Sequence, residues 1–276
     1  MILIERIETM GKIITICNFK GGTGKTTTCH TLGVGLGVKG YKVLLVDADQ
    51  QRNLSIVSNI DTNDNVNTIY ELMKNERQPQ EVIYKTKYYD IICGSLSISR
   101  ADNEFTRPPY LMNCYYLLKN QLDKIKDNYD YILIDTPPTL AIITQNALVA
   151  SDSLIVPTQA DSFCISGLAD LKKQLDAIRE GTTNKTLRIE GILLAKYSDR
   201  TRLNQLLKEE LFKACRYLDT KIYNYAIRES VGVRESQLLK SNVLVDNPKN
   251  NASIDYQTFI DEFIRDNEKV EVLGNE

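Results

Sequence analysis

Short, almost purely apolar runs recur along the chain, and most of them end in glycine or in a carboxylate. KIITICN (12–18), KVLLVDAD (42–49), YDYILIDTPP (129–138), SLIVPTQ (153–159) and RIEGILLAKY (188–197) are too short for buried helices and rich in β-branched residues. They read as strands buried on both faces. The segments between them carry helical periodicity. KTTTCHTLGVGLGVKG (25–40) ends on a capping glycine, and GLADLKKQLDAIRE (167–180) shows an apolar stripe against a charged face. Strands of this kind alternating with helices predict an α/β fold, a mostly parallel, doubly wound sheet with helices on both faces. No repeat or low-complexity linker interrupts the pattern. A single domain spanning 1–276 is expected, with a short N-terminal extension (1–11) and a flexible acidic tail (265–276). Ligands of such sheets sit beyond the carboxyl ends of the strands, which is where Asp47, Asp49, Asp135 and a glycine-rich turn all fall.

Composition adds exclusions. With 42% apolar and 25% charged residues the chain can bury a substantial core, and it is not of the disordered class. No run of about 18 apolar residues is present, and the start MILIERIETMGK carries acidic residues where a signal peptide needs a basic entry. The expectation is a cytoplasmic protein with no membrane association. Cysteines at 17, 29, 93, 114, 164 and 215 form no C-x-x-C pair and no cluster with His30, the sole histidine. They read as reduced, buried thiols, with no metal or disulfide framework. The net charge of -2 conceals an asymmetry: 185–249 holds 13 Lys/Arg against 8 Asp/Glu, whereas 250–276 holds 2 against 7. A basic stretch thus precedes an acidic end.

The candidate chemistry lies in NFKGGTGKTT (18–27). A phosphate-binding loop reads G-x-x-x-x-G-K-[ST], and here Phe19 takes the place of the first glycine while a second lysine, Lys20, stands inside the loop. Gly21, Gly22 and Gly24 let backbone N–H groups, with those of Thr23 and Thr27, turn inward on phosphate oxygens at a helix N-terminus. Lys25 reaches the β- and γ-phosphates. Thr26 offers a hydroxyl to Mg²⁺, and Asp135, at the end of an apolar strand, has the form of the second nucleotide motif that holds the metal.

KGGTGKTT, VLLVDADQQRN, DYILIDTPP and NALVASDSLIVPTQADSFCISGL, in that order, resemble the ParA-type partition ATPases, the deviant Walker P-loop family that also contains MinD. The likeness runs from about residue 12 to the helix around Tyr256. It implies an ATPase that uses ATP and Mg²⁺ and forms an ATP-dependent homodimer, in which Lys20 crosses to the nucleotide of the other subunit. It also implies that Asp49 is the catalytic carboxylate that orients water, with Asp47 pairing with the loop lysine or the magnesium shell. The chain departs from the family's DxDPQGN, since Gln50 replaces the proline and Arg52 the glycine.

Towards the C-terminus, GILLAKYSDRTRL and IRESVGVRES resemble a late family strand and the segment near the adenine, although Arg228 stands where the family has proline. Arg200, Arg202, Arg228 and Arg234 are the expected contacts to nonspecific DNA, because phosphate contact requires only a local basic patch. The first strand begins too early to leave room for the helix-turn-helix domain of larger ParA proteins. The implied function is segregation of plasmid or chromosomal DNA on the nucleoid, with hydrolysis stimulated by a ParB-type centromere-binding partner. The alternatives are a ParA-like ATPase positioning another cargo, and a MinD-like membrane-associated ATPase, disfavoured because the final segment is acidic where a membrane helix is basic. An iron–sulfur relative of the nitrogenase iron protein ranks last, since Cys93 and Cys114 lack the glycine-rich settings of that family.

Overall fold

The computed structural model describes residues 11–60, 67–161, 164–197 and 202–268. Eight strands form the sheet: β1 (Lys12–Ile16), β2 (Val43–Asp47), β3 (Ile83–Lys85), β4 (Asp90–Ile92), β5 (Tyr131–Asp135), β6 (Ser153–Thr158), β7 (Arg188–Tyr197) and β8 (Ile227–Arg228). Their order is β3-β4-β2-β5-β1-β6-β7-β8, and every pairing is parallel except β3 with β4. The chain builds outward from β1 in both directions. β5 and β6 flank it, so the topological switch, where loops part and leave a crevice, lies at the carboxyl end of β1.

The two-faced apolar pattern of the strands explains the layers. Side chains alternate across a strand, so Leu44, Val46, Ile132 and Ile134 enter one core. That core also takes residues from the helices Ile69–Met73, Leu117–Leu122 and Ile142–Ala150. Val43, Leu45, Tyr131 and Leu133 enter the opposite core, with Leu32 and Leu36 of the helix Lys25–Val38 and Phe259 and Phe263 of the helix Asn251–Asn267. A third cluster joins β6 and β7 to Leu168, Leu171 and Leu175 of the helix Cys164–Gly181, and to Leu211 of the helix Arg202–Tyr217. The helix Lys25–Val38 lies unusually close to its neighbours. A Cβ at Gly37 would stand 1.9 Å from the carbonyl oxygen of Tyr88, so only glycine permits that approach.

The fold class read from the sequence is the one observed. Three strands escaped the reading, namely β3, β4 and β8, each of three residues or fewer. Of the expected tail, Arg265 to Asn267 form the last turn of the helix Asn251–Asn267, and Asn267 donates through its side chain to Glu190 and to the Phe263 carbonyl. Residues 269–276 and 1–10 lie outside the described residues. Cys17, Cys29, Cys93, Cys114 and Cys215 are buried free thiols, and burial pushes the Cys17 and Cys215 thiols up to about 11.

Candidate nucleotide site

The loop between β1 and the helix Lys25–Val38 is held by its own polar groups. Buried Asn18 accepts the Lys20 backbone N–H at 3.0 Å and donates to the Pro157 carbonyl at 2.8 Å, tying the ends of β1 and β6 together. Phe19, at the missing-glycine position, packs against the third core cluster. An apolar anchor therefore stands where the common loop has a glycine. Gly22 and Gly24 adopt left-handed backbone (φ 74° and 91°), the conformation that turns successive N–H groups inward.

The two lysines of this loop have opposite environments. Lys25 is 7% exposed, its ammonium donates to the Lys20 carbonyl at 3.2 Å, and burial lowers its pKa against the opposing pull of Asp135. Lys20 stands on the rim with its side chain 39% exposed, and its ammonium pairs with Asp161, just beyond β6.

Three strand-end carboxylates face the loop from beneath. Asp135 is fully buried; Thr26 Oγ1 donates to its Oδ2 at 2.7 Å, while its Oδ1 has no hydrogen-bond partner. Burial and the nearby Asp47 raise its pKa well above the carboxylate range. A hydroxyl and a buried carboxylate oxygen with spare acceptor capacity make a hard-oxygen pair, which suits Mg²⁺ completed by phosphate and water oxygens. Of the two partners expected for Asp47, Lys25 is not the one it takes; its Oδ2 accepts the Ser55 N–H and hydroxyl at 2.8 and 2.7 Å, and its Oδ1 accepts the Asp49 N–H at 3.2 Å. Burial pushes it up to about 6 against those bonds. Its position in register with Asp135 on the neighbouring strand makes it a brace for the Asp49 turn. Asp49 itself lines the open cleft, with Oδ1 accepting the Gln51 N–H at 3.0 Å.

The departures at Gln50 and Arg52 leave this turn intact. Arg52 adopts φ 56°, so an arginine occupies the left-handed position at which the family has glycine, and the chain then enters the helix Asn53–Val57 that carries Ser55. The cost of such a conformation is about 1–2 kcal/mol.

Loop, Asp49 and C-terminal segment border one cleft of about 730 Å³. It is lined by Gly21 to Thr27 and Asp49, and by Ala195, Lys196, Ile227, Arg228, Val233, Arg234 and Gln237. Arg228 and Arg234 border the nucleotide cleft, and the Arg228 guanidinium is committed to Asp255 through bonds of 2.8 and 2.7 Å. Arg200 lies outside the described residues, and Arg202 opens the helix Arg202–Tyr217 with its side chain likewise outside them. Sequence reading missed four contacts that the fold creates. Gln159 and Lys196 both donate to the Gly22 carbonyl at 2.9 Å, Gln237 donates to Thr27 Oγ1 at 2.9 Å, and Asp161 meets Lys20. Only the placement of Gln159 and Lys196 at the ends of predicted strands hinted at them.

Comparison with known proteins agrees with this geometry. A family model described as an AAA domain matches residues 11–189. The sporulation initiation inhibitor protein Soj of Bacillus subtilis is 34% identical over 87% of this chain and 93% of its own length. The chromosome partitioning protein ParA of Caulobacter vibrioides is 32% identical over 85% of this chain and 86% of its own. Among solved structures, the septum site-determining protein MinD of Pyrococcus horikoshii, complexed with Mg-ADP, is 26% identical with a TM-score of 0.73, covering 94% of this chain and 99% of its own. Among the described residues no helix is long and apolar enough to cross a membrane. A phosphate loop with a second lysine, a magnesium-suited Thr26–Asp135 pair and relatives matched along most of their length converge: this chain belongs to the ParA/Soj family of positioning ATPases, whose cofactors are ATP and Mg²⁺.

Proposed function

We propose that this chain is an ATP-switched partition protein, which dimerises around ATP, binds DNA nonspecifically as the dimer, and releases it on hydrolysis. One observation carries the reading: of the two loop lysines, Lys25 turns into its own loop while Lys20 stands on the partly exposed rim, its ammonium beside Asp161. A cation in that position serves a phosphate that approaches from outside. Two like-charged loops can meet face to face only with triphosphates between them, so ATP binding is linked to assembly.

Within this reading the residues take distinct roles. Backbone N–H groups from Gly21 to Thr27 and the Lys25 ammonium hold the phosphates; Thr26 and Asp135 hold Mg²⁺, which neutralises charge on the phosphoryl group. Asp49, braced through Asp47 and Ser55, orients water for in-line attack, a task of positioning that needs no unusual basicity. Lys20 stabilises charge across the dimer. The cargo is plasmid or chromosomal DNA in the cytoplasm, on the nucleoid, and a ParB-type centromere-binding protein stimulates turnover. Arg200 and Arg202 remain the DNA contacts of choice, with Arg234 at the cleft lip as a third. Their phosphate contacts make binding fall steeply with salt.

Lys20→Ala tests the central role. It is expected to bind ATP as a monomer with little change, while ATP-dependent dimers and partner-stimulated turnover drop about tenfold or more. Wild-type dimerisation and turnover in that variant would remove Lys20 from the interface.

A further inference from the structure

Lys196 lies at the carboxyl end of β7 in a conformation that lysine rarely adopts. Its φ is 52°, and the register of β7 against β8 shifts between Ala195 and Tyr197, so a bulge re-aims this one side chain. Left-handed backbone on an unbranched, non-glycine residue costs about 1–2 kcal/mol and persists where surrounding structure imposes it. The exposed side chain crosses the cleft wall, and its ammonium donates to the Gly22 carbonyl at 2.9 Å, a residue 174 positions away. The same carbonyl accepts the Gln159 amide at 2.9 Å. The tip of the phosphate loop is therefore pinned from two strand ends.

The route of the side chain matters as much as its end. Lys196 lines the cleft and its head group touches the loop, so the four-carbon stem forms part of the cleft surface beside the loop. Ala195, Ile227, Val233 and Leu238, which line the same cleft, are apolar. A nucleotide whose phosphates lie on the loop extends its sugar and base along this same wall. We propose that Lys196 is a nucleotide-positioning residue, whose methylene stem forms a platform for the purine base while its ammonium fixes the phosphate loop through Gly22. This rests on the cleft being the nucleotide site, and it adds what holds the base end, where Arg228 is committed to Asp255.

The division of labour is separable by ligand. Inorganic tripolyphosphate uses only the loop, whereas ATP and ADP also use the platform. Equilibrium binding of all three to wild type, Lys196→Ala and Lys196→Met decides the matter, with far-ultraviolet circular dichroism confirming that each variant is folded. Gln159 still pins the loop in both variants, and both retain a side chain on the left-handed backbone. Lys196→Ala is expected to weaken ATP and ADP about tenfold and tripolyphosphate by less than about threefold, since burial of several methylenes under a base is lost. Lys196→Met, with an unbranched apolar stem and no charge, is expected to restore ATP and ADP to within about threefold of wild type. Unchanged ATP affinity in Lys196→Ala would overturn the proposal. Equal losses of ATP and tripolyphosphate without rescue by methionine would also overturn it, leaving a loop tether alone. Failure of wild type to bind either ligand would instead overturn the nucleotide site itself.

Discussion

The two sides of the cleft are built by different means. On one side Asp47, Asp135, Thr23 and Lys25 are buried or nearly so, and Ser55, Thr26 and the loop backbone hold them, with Asp135 Oδ1 left without a protein partner. On the other side Lys196 and Arg228 reach the cleft from solvent, Arg228 tethered to Asp255 and Lys196 to Gly22. The buried side is rigid because an unpaired polar group there costs more than the ordering of its partners. The exposed side tolerates exchange, and the family's proline and glycine have given way there and at the turn to Arg228 and Arg52. Chemistry common to a family belongs on the first side, and what distinguishes one member belongs on the second.

Substitutions that act on the buried side alone sharpen this contrast. Asp49→Ala is expected to cut partner-stimulated ATP hydrolysis about 100-fold or more while ATP affinity stays within about threefold, measured by phosphate release and equilibrium binding. Loss of binding in step with turnover would show that Asp49 holds the nucleotide and does not position water.

The next effect comes from the join between the two sides. His30, on the helix Lys25–Val38, is buried against Tyr89, and its Nδ1 faces the Asn242 amide at 3.2 Å. Burial lowers it to about 4 from 6.5. Because the unfolded chain binds the proton more readily, stability from neutral His30 is complete above about pH 6.5, declines as the pH falls, and is gone below about 4. The full difference is about 3 kcal/mol. Denaturant melts of wild type and His30→Asn at pH 7 and pH 4.5 check it: the variant should lose less stability on acidification. Identical pH slopes would place the acid sensitivity elsewhere.

Smaller effects are expected at the rim. Asp161→Ala removes from Lys20 one partly exposed ion pair, worth at most about 1 kcal/mol after solvent screening. The ATP-dimer population should rise up to about fivefold, read by light scattering at limiting ATP. A fall would mean that Asp161 itself belongs to the assembled interface. Arg52→Gly relieves left-handed backbone but adds freedom to the unfolded chain, for a net gain of about 0.5 kcal/mol and a melting temperature about 1–2 °C higher.

The same division decides what was legible in the sequence. β1, β2, β5, β6 and β7 announce themselves because each is apolar on both faces, and the carboxylates at their ends follow from the register. β3 and β4 did not, since YKTKYYDII alternates for only three residues on either side of a polar turn. Lys25, Thr26 and Asp135 were readable from spacing, because a phosphate imposes that spacing on any chain. The Asp47–Ser55 brace was not, as nothing in VDADQQRNLS marks a serine eight residues on as a partner. Lys196 and Asp161 reach the loop only after the sheet has laid β6 beside β1 and β7 beside β6. Grouping Arg228 and Arg234 with Arg200 and Arg202 rested on charge along the chain, and of the four only Arg228 and Arg234 have described side chains, both at the cleft.

The most direct test of the central claim is retention of the protein on nonspecific DNA over a salt series, with ATP and with ADP, for wild type and Lys20→Ala. The account predicts strong retention of wild type with ATP, falling steeply with salt, weak retention with ADP, and weak retention of Lys20→Ala with either nucleotide. Equal retention of wild type with ATP and ADP, or undiminished ATP-dependent retention of Lys20→Ala, would contradict it.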